Sequence, residues 1–250
     1  MAKRQARLNA APGERLEGMR RHELRAFVTV VFAGLLLWGG YMLTRPSTLP
    51  VRHVQLTGEL GRLDSARLRE AILPHVTHGL LRVDVAALSA AVEGLPWVRR
   101  AAVRRVWPDV VEVEIHEQKP LARWGNLALV NDEGQLFVPP ETEWPTGLPV
   151  FDGPEDTAQA MAVRYRELRE VLTPVGLNVA LFSMNERRAV ILDMENGLRL
   201  LLGRGDQQTR LERFVRAYPK VIEARVAEVR QVDLRYTNGF TVIWKQGPQA

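Results

Sequence analysis

From Ala26 to Thr44 the chain reads AFVTVVFAGLLLWGGYMLT, nineteen residues without a charge between Arg25 and Arg45. As a helix that run spans roughly 28 Å, about one bilayer hydrocarbon core. Trp38 and Tyr41 lie toward its far end, where aromatic rings favour the membrane interface. The pattern predicts a single transmembrane helix over 26–44. The run is longer than the apolar region of a usual signal peptide, and Thr44-Arg45-Pro46-Ser47 offers no small-x-small cleavage site. Pro46 to Pro50 reads as a short, stiff spacer.

Beyond the spacer the periods change. Val51–Thr57 alternates apolar and polar positions and stops at Gly58, as a strand does. Asp64 is an N-cap candidate for a helix with Leu68, Ala71 and Ile72 on one side, closed by Pro74. Asp84 precedes Leu88, Ala91, Val92 and Leu95, the i, i+3, i+4, i+7 stripe of a second helix ended by Gly94 and Pro96. Two strands follow around Pro108-Asp109: Val98–Trp107, and a second carrying Val111, Val113 and Ile115. This β-α-α-β-β order occupies residues 45–119, with two helices covering one face of a three-stranded sheet.

Pro120 removes a ladder donor and marks a domain boundary or a strand start. From 120 to 245 short strands dominate: Leu121–Trp124, Leu127–Val130 and Gln135–Val138, a loop from Pro139 to Pro149, then Leu177–Met184, Ala189–Met194 and Leu198–Leu202. Asn196-Gly197 joins the last two as a tight hairpin. One helix interrupts with Met161, Tyr165, Leu168 and Leu172 on one side. Another starts near Asp206, turns Leu211, Phe214, Val215 and Tyr218 inward, and is stopped by Pro219. The last hairpin pairs Val229–Tyr236 with Phe240–Lys245 across Asn238-Gly239. Only the tail 246–250 follows, so the final strand is a candidate exposed edge. The fold class expected is α+β: one transmembrane helix, the β-α-α-β-β domain, and a β-rich domain with two helices.

Charge bears on topology more than on chemistry. The formal net charge is +5, but Lys3, Arg4, Arg7, Arg15, Arg20, Arg21 and Arg25 face only Glu14, Glu17 and Glu23 in residues 1–25, which leaves +1 for everything after them. A basic face for nucleic acid is therefore not expected. The cationic flank instead predicts a cytoplasmic tail over 1–25 and an exported remainder, in a bacterium the periplasm, where ATP-dependent chemistry is not expected. The absence of cysteine removes disulfides, thiolate catalysis and Cys-ligated metals.

A search for a reaction centre finds little. His75 and His78 form an HxxH without an acidic residue close behind, so no metal is expected, and His53 and His116 read as solvated. Ser47, Ser65, Ser89 and Ser183 lie in no GxSxG or SxxK pattern. Glu112 and Glu114 share one strand face as solvated charges, and Gly203-Arg204-Gly205 lacks the third glycine and the lysine of a phosphate loop. No catalytic residue and no cofactor is expected, and the chain reads as a non-enzyme.

What remains is a polypeptide-binding surface. An exposed final strand can accept another chain by strand addition. Arg235 and Tyr236 lie on that hairpin with Trp244 opposite, and Arg, Tyr and Trp are the types that dominate binding hot spots. Two readings of Tyr236 and Trp244 stand open at this point, a binding surface and the core. Trp97, Trp107 and Trp124 read as core or turn packing.

The order of parts resembles the FtsQ/DivIB family of bacterial cell division proteins, whose first exported unit is a POTRA-type domain. Leu95-Pro96-Trp97-Val98 followed by Val103-Arg104-Arg105-Val106-Trp107-Pro108 resembles the family's POTRA strand pair. Pro120-Leu121-Ala122-Arg123-Trp124 resembles its domain junction, and Asp132-Glu133-Gly134 with Phe137 its next hairpin. Leu202-Gly203-Arg204-Gly205-Asp206 with Arg210-Leu211 and Arg213-Phe214 resembles its strand-to-helix motif. Val232-Asp233-Leu234-Arg235-Tyr236 with Gly239 and Trp244 resembles its C-terminal signature. The resemblance runs over roughly 26 to 245. Thr237-Asn238 and Phe240-Thr241 depart from the smaller or more acidic residues of close relatives.

The resemblance implies a divisome scaffold at the septum of the bacterial inner membrane, linking early and late division proteins. It implies binding of the periplasmic segments of FtsB and FtsL, partly by strand addition to the last strand, at positions matching Arg204, Arg235, Tyr236, Gly239 and Trp244. It implies a second surface on the POTRA-type unit for FtsK, FtsW and FtsI. Two other classes stay open: a POTRA-bearing accessory of envelope protein assembly or secretion, and a membrane-tethered cell-wall enzyme.

Overall fold

The structure, a computed structural model, describes residues 12–43 and 49–245. The first part of the expected tail, most of the spacer and the segment 246–250 lie outside the described residues.

Helix α1 runs from Pro12 to Leu43. Its portion Glu23–Met42 is long and apolar enough to cross a membrane, and none of it is buried against the rest of the chain, unlike a soluble core helix. The helix starts well before residue 26, where the apolar run begins. Nothing in the cationic segment from Pro12 onward breaks it, since proline is tolerated in a first turn.

The folded part divides into two compact units whose segments alternate along the chain. One holds the chain up to Gly58, Asp64–Glu93 and Ala101–Ile115. The other holds Glu59–Leu63, Gly94–Arg100 and everything from His116.

The β-α-α-β-β segment consists of β1 (His53–Gly58), α2 (Ser65–Val76), α3 (Val85–Glu93), β2 (Val98–Val106) and β3 (Val110–Glu117). The sheet order is β1-β3-β2, with β1 parallel to β3. Both helices start on the expected aspartates. Asp64 accepts from the Ala66 amide at 2.9 Å, and Asp84 from the Ala86 and Ala87 amides at 3.0 Å each. Leu68, Ile72, Leu88 and Val92 on the helices and Val111, Val113 and Ile115 on β3 are buried. Pro74, expected to close α2, lies inside it. In a final turn a proline forfeits one amide bond and the helix needs few more. Leu95, expected on the α3 stripe, falls beyond the helix, which ends at Glu93.

The second unit contains a nine-stranded sheet built from β4 (Pro120–Trp124), β5 (Ala128–Asn131), β6 (Leu136–Phe137), β7 (Val150–Asp152), β8 (Val179–Met184), β9 (Val190–Met194), β10 (Arg199–Gly203), β11 (Val229–Asp233) and β12 (Thr241–Trp244). The order is β12-β11-β10-β9-β8-β7-β4-β5-β6. Helix α4 (Ala158–Leu172) buries Met161, Tyr165, Leu168 and Leu172, and α5 (Gln207–Val221) buries Leu211, Phe214 and Tyr218. Phe151 sits edge-on to Tyr165 at 5.2 Å and to Phe182 at 5.4 Å, so the short β7 carries a central core ring. Pro219 again lies inside the last turn, and the Ile222 amide still reaches Tyr218 O at 3.0 Å.

Two aspects of this sheet differ from expectation. Strand β7 was not expected, because three residues give too little period to read. β11 ends at Asp233 instead of reaching Tyr236. The Leu234 amide donates to Leu201 O at 2.9 Å and the Arg235 amide to Asp233 Oδ1 at 3.0 Å, which turns the chain away from β12. Trp97 and Trp124 are buried, but Trp107 is 63% exposed at the turn between β2 and β3.

Candidate functional site

Among the described residues, strand β12 pairs only with β11 and ends the nine-stranded sheet. The Lys245 amide donates inward to Glu228 O at 2.7 Å. Backbone groups alternate along a strand, so Thr241 and Ile243 also face β11, while Val242 and Trp244 turn their N–H and C=O outward. That open row is a template for one more strand.

The connection from β11 to β12 is a seven-residue loop, 234–240, in place of the two-residue Asn238-Gly239 turn. Leu234 is buried, and Phe240 packs on Phe214 at 6.0 Å. These two anchors leave Arg235, Tyr236, Thr237 and Asn238 exposed between them, with Gly239 half-buried. Gly239 does not adopt the left-handed backbone of a tight Asn-Gly turn, whereas Gly197 does, at φ 83°.

The connection from β10 to α5 lies beside this loop. Gly203, Gly205 and Asp206 have φ of 70°, 68° and 49°, and Arg204 stands exposed among them. A Cβ added to Gly203 would lie 2.9 Å from Arg235 Cγ and 3.4 Å from Arg210 Nη1, so the stem of Arg235 passes directly over that glycine. Arg210 donates to Leu202 O at 2.7 Å, and Arg213 donates to Tyr236 O at 3.3 Å. Arg204, Arg235 and Tyr236 thus gather at one end of the sheet edge, among four guanidiniums. Asp233 is held below the ordinary aspartate range, first by hydrogen bonds from Arg235, with burial opposing and the charge of Arg210 assisting.

Trp244 lies at the opposite end of β12, opposite Val229. Its ring carries the Arg225 guanidinium at 4.5 Å, and Arg225 also pairs with Glu228 at 2.6 Å. Tyr236 is 55% exposed and Trp244 39%, so neither fills the core. Arg225 and the carboxylate of Asp233 were missed from sequence. The Asp-x-Arg spacing of 233 and 235 could have signalled the second, but nothing near Arg225 signals the first. Among the described residues, no group of three His, Asp or Glu could hold a metal ion.

The family model described as "POTRA domain, FtsQ-type" matches residues 49–118, and that described as "Cell division protein FtsQ/DivIB, C-terminal" matches residues 122–235. The chain is similar to Cell division protein FtsQ of Coxiella burnetii, 35% identical over 210 residues, 84% of this chain and 86% of the relative. It is also similar to Cell division protein FtsQ of Neisseria meningitidis serogroup B, 36% identical over 220 residues, 88% and 93% of the two chains. The protein of the same name from Burkholderia pseudomallei is 32% identical over 228 residues, 88% and 91%. The chain belongs to the FtsQ/DivIB family of cell division proteins. The one helix among the described residues that is long and apolar enough to cross a membrane, followed by an FtsQ-type POTRA domain and a β-rich C-terminal domain, fits a single-pass membrane protein of that family. The FtsQ/DivIB match takes in Arg204 and Arg235 and stops before Tyr236, Gly239 and Trp244.

Proposed function

We propose that this FtsQ/DivIB protein is a non-enzymatic scaffold of the divisome, and that the open edge of β12 receives the periplasmic segments of the FtsB–FtsL pair. It stands in the bacterial inner membrane at the septum, with its N-terminus cytoplasmic and residues 45–250 periplasmic. The POTRA-type part, within residues 45–119, contacts FtsK, FtsW and FtsI.

The observation that carries this reading is the free edge itself. A nine-stranded sheet ends on a strand whose outward amides and carbonyls have no partner among the described residues, beside two connections presenting Arg204, Arg235 and Tyr236. Strand addition supplies main-chain hydrogen bonds that are indifferent to sequence, and the anchors at the edge's end fix register. The surplus of guanidiniums selects a partner segment carrying carboxylates, which arginine can bind bidentately. Gly239 leaves open space above its Cα, where a partner chain can pass close to the backbone. Trp244 offers an apolar face at the far end of the strand.

The test is calorimetric titration of the full chain in nanodiscs with the periplasmic part of FtsB–FtsL. Saturable binding that is weakened by substitutions at Arg204 and Tyr236 is expected. Undiminished binding in both variants would move the site away from this edge.

A further inference from the structure

The β1–β2–β3 segment carries an exposed cluster that the proposed scaffold role does not use. Helix α1 ends at Leu43, and Leu49 follows six residues later in the chain. Six residues of extended chain reach at most about 20 Å, so Leu49 cannot lie farther than that from the end of the membrane helix. Leu49 is itself pinned: its carbonyl accepts from the Leu80 amide at 2.8 Å. The Arg52 amide donates to Asp109 O at 2.9 Å, and Arg105 Nη2 to Val83 O at 2.7 Å. These bonds bring the chain entry, the Leu80–Arg82 turn and the β2–β3 turn to one end of the fold.

That end has a particular surface. Trp107 is 63% exposed and Leu81 39% exposed, both large apolar side chains at turn tips. Arg52, Arg82 and Arg105 lie on the same three segments, all exposed. The carboxylates here are already engaged. Asp84 caps the amides of Ala86 and Ala87, and Asp109 faces Arg52 at 3.8 Å. An indole among guanidiniums is the composition of a membrane interface, where the ring sits at headgroup level and arginine binds phosphate. The short tether raises the effective concentration of bilayer at this surface, so weak contacts suffice.

We propose that this end of the segment docks on the bilayer that α1 crosses. Trp107 and Leu81 enter the headgroup layer, and Arg52, Arg82 and Arg105 lie on anionic phospholipid phosphates. The inference rests on α1 being a membrane anchor, and not on the β12 site.

The chain has no cysteine, so single labels are available. Nitroxides would be placed on Trp107→Cys, Leu81→Cys, Ala102→Cys (exposed in mid-β2) and Leu36→Cys in the full chain, in nanodiscs containing phosphatidylglycerol. Power-saturation EPR then reads depth. Interfacial depth at 107 and 81 is expected, with 102 in water and 36 in hydrocarbon. Adding Arg52→Gln and Arg82→Gln to the Leu81→Cys chain, with Arg105 and its bond to Val83 O kept, should raise the water accessibility of that label several-fold, with the melting curve unchanged. Labels at 107 and 81 as wet as that at 102 would overturn the docking while leaving the anchor intact. A wet label at 36 would overturn both. Shielding at 107 and 81 that appears only when envelope proteins are added would assign the surface to a protein partner and refute the lipid.

Discussion

Arg235 clasps the carboxylate of Asp233: Nε lies 2.9 Å from Oδ1 and 3.1 Å from Oδ2, and Nη2 lies 2.6 Å from Oδ2. The Arg235 amide donates to the same Oδ1. This clasp fixes the bend by which the chain leaves β11, and it lays the arginine stem across Gly203 on the next connection. The two arginines of the proposed site are therefore unequal. Arg235 is spent on an internal carboxylate and shapes the surface, whereas Arg204 has no side-chain partner among the described residues and offers its whole charge.

Releasing the clasp should loosen the loop without unfolding the sheet. The Arg235 side chain is largely exposed, so the pair contributes only about 0.2–1 kcal/mol, and Asp233→Asn should barely move the melting temperature. Affinity for FtsB–FtsL should fall severalfold, because the loop is no longer preset. The pH dependence has a definite sign. A depressed folded value means the pair stabilises fully above the unfolded aspartate value of about 4 and is lost only as pH falls through the lower folded value. An NMR titration of the Asp233 carboxyl carbon should show a midpoint below about 4. A midpoint at or above it contradicts the clasp.

Arg204 should behave as a pure contact. Arg204→Ala should cost on the order of 2 kcal/mol of binding, roughly thirtyfold. Arg204→Glu should cost more, by placing like charges together. Both variants should melt like the parent, since the side chain is exposed and unpartnered. Titration calorimetry alongside melting curves separates the two effects, and a lowered melting temperature would show that Arg204 supports the fold instead.

What was legible in the sequence follows from how local each signal is. The capping aspartates 64 and 84 and the Asn196-Gly197 turn act on their own neighbours, and the chain uses them as expected. Asn238-Gly239 carries the same letters as the earlier turn, but Leu234 and Phe240 pack into the core and stretch the connection to seven residues. Tertiary burial overrides the local preference there. β7 is too short to show a period, and its place between β4 and β8 depends on parallel pairings that no local pattern encodes. Arg204, Arg235 and Tyr236 could be named in advance, whereas the passage of the Arg235 stem over Gly203 could not, because it depends on how β10 and β11 pair.

Glu117 should support stability in the second unit. It is only 7% exposed, and its Oε1 accepts from the amides of Arg62 and Leu63 at 2.9 and 3.1 Å. Glu117→Ala leaves both donors without that partner, a loss of about 2–3 kcal/mol. Glu117→Gln keeps a carbonyl oxygen at the same place and should recover most of it. Chemical denaturation of the three chains checks this ordering. Equal loss in Ala and Gln would mean that the negative charge, and not the acceptor, matters.

Trp244 allows the main-chain part of the proposed contact to be measured apart from the side chain. Its N–H faces outward, so Trp244→Ala removes the indole and its Arg225 contact while the donor stays. Trp244→Pro removes the donor as well. Proline is tolerated on an edge strand when its missing N–H would have faced solvent, and the preceding Ile243 is already extended, as proline requires. The inward donors at Ile243 and Lys245 survive, so both variants should melt together. A hydrogen bond contributes about 1 kcal/mol net, and the proline variant should bind FtsB–FtsL roughly fivefold more weakly than the alanine one. Ile243→Pro, which breaks the ladder to β11, should instead lower the melting temperature. If Trp244→Pro and Trp244→Ala bind alike, the partner does not pair with the β12 backbone. If Trp244→Pro alone melts early, the outward register of β12 is wrong.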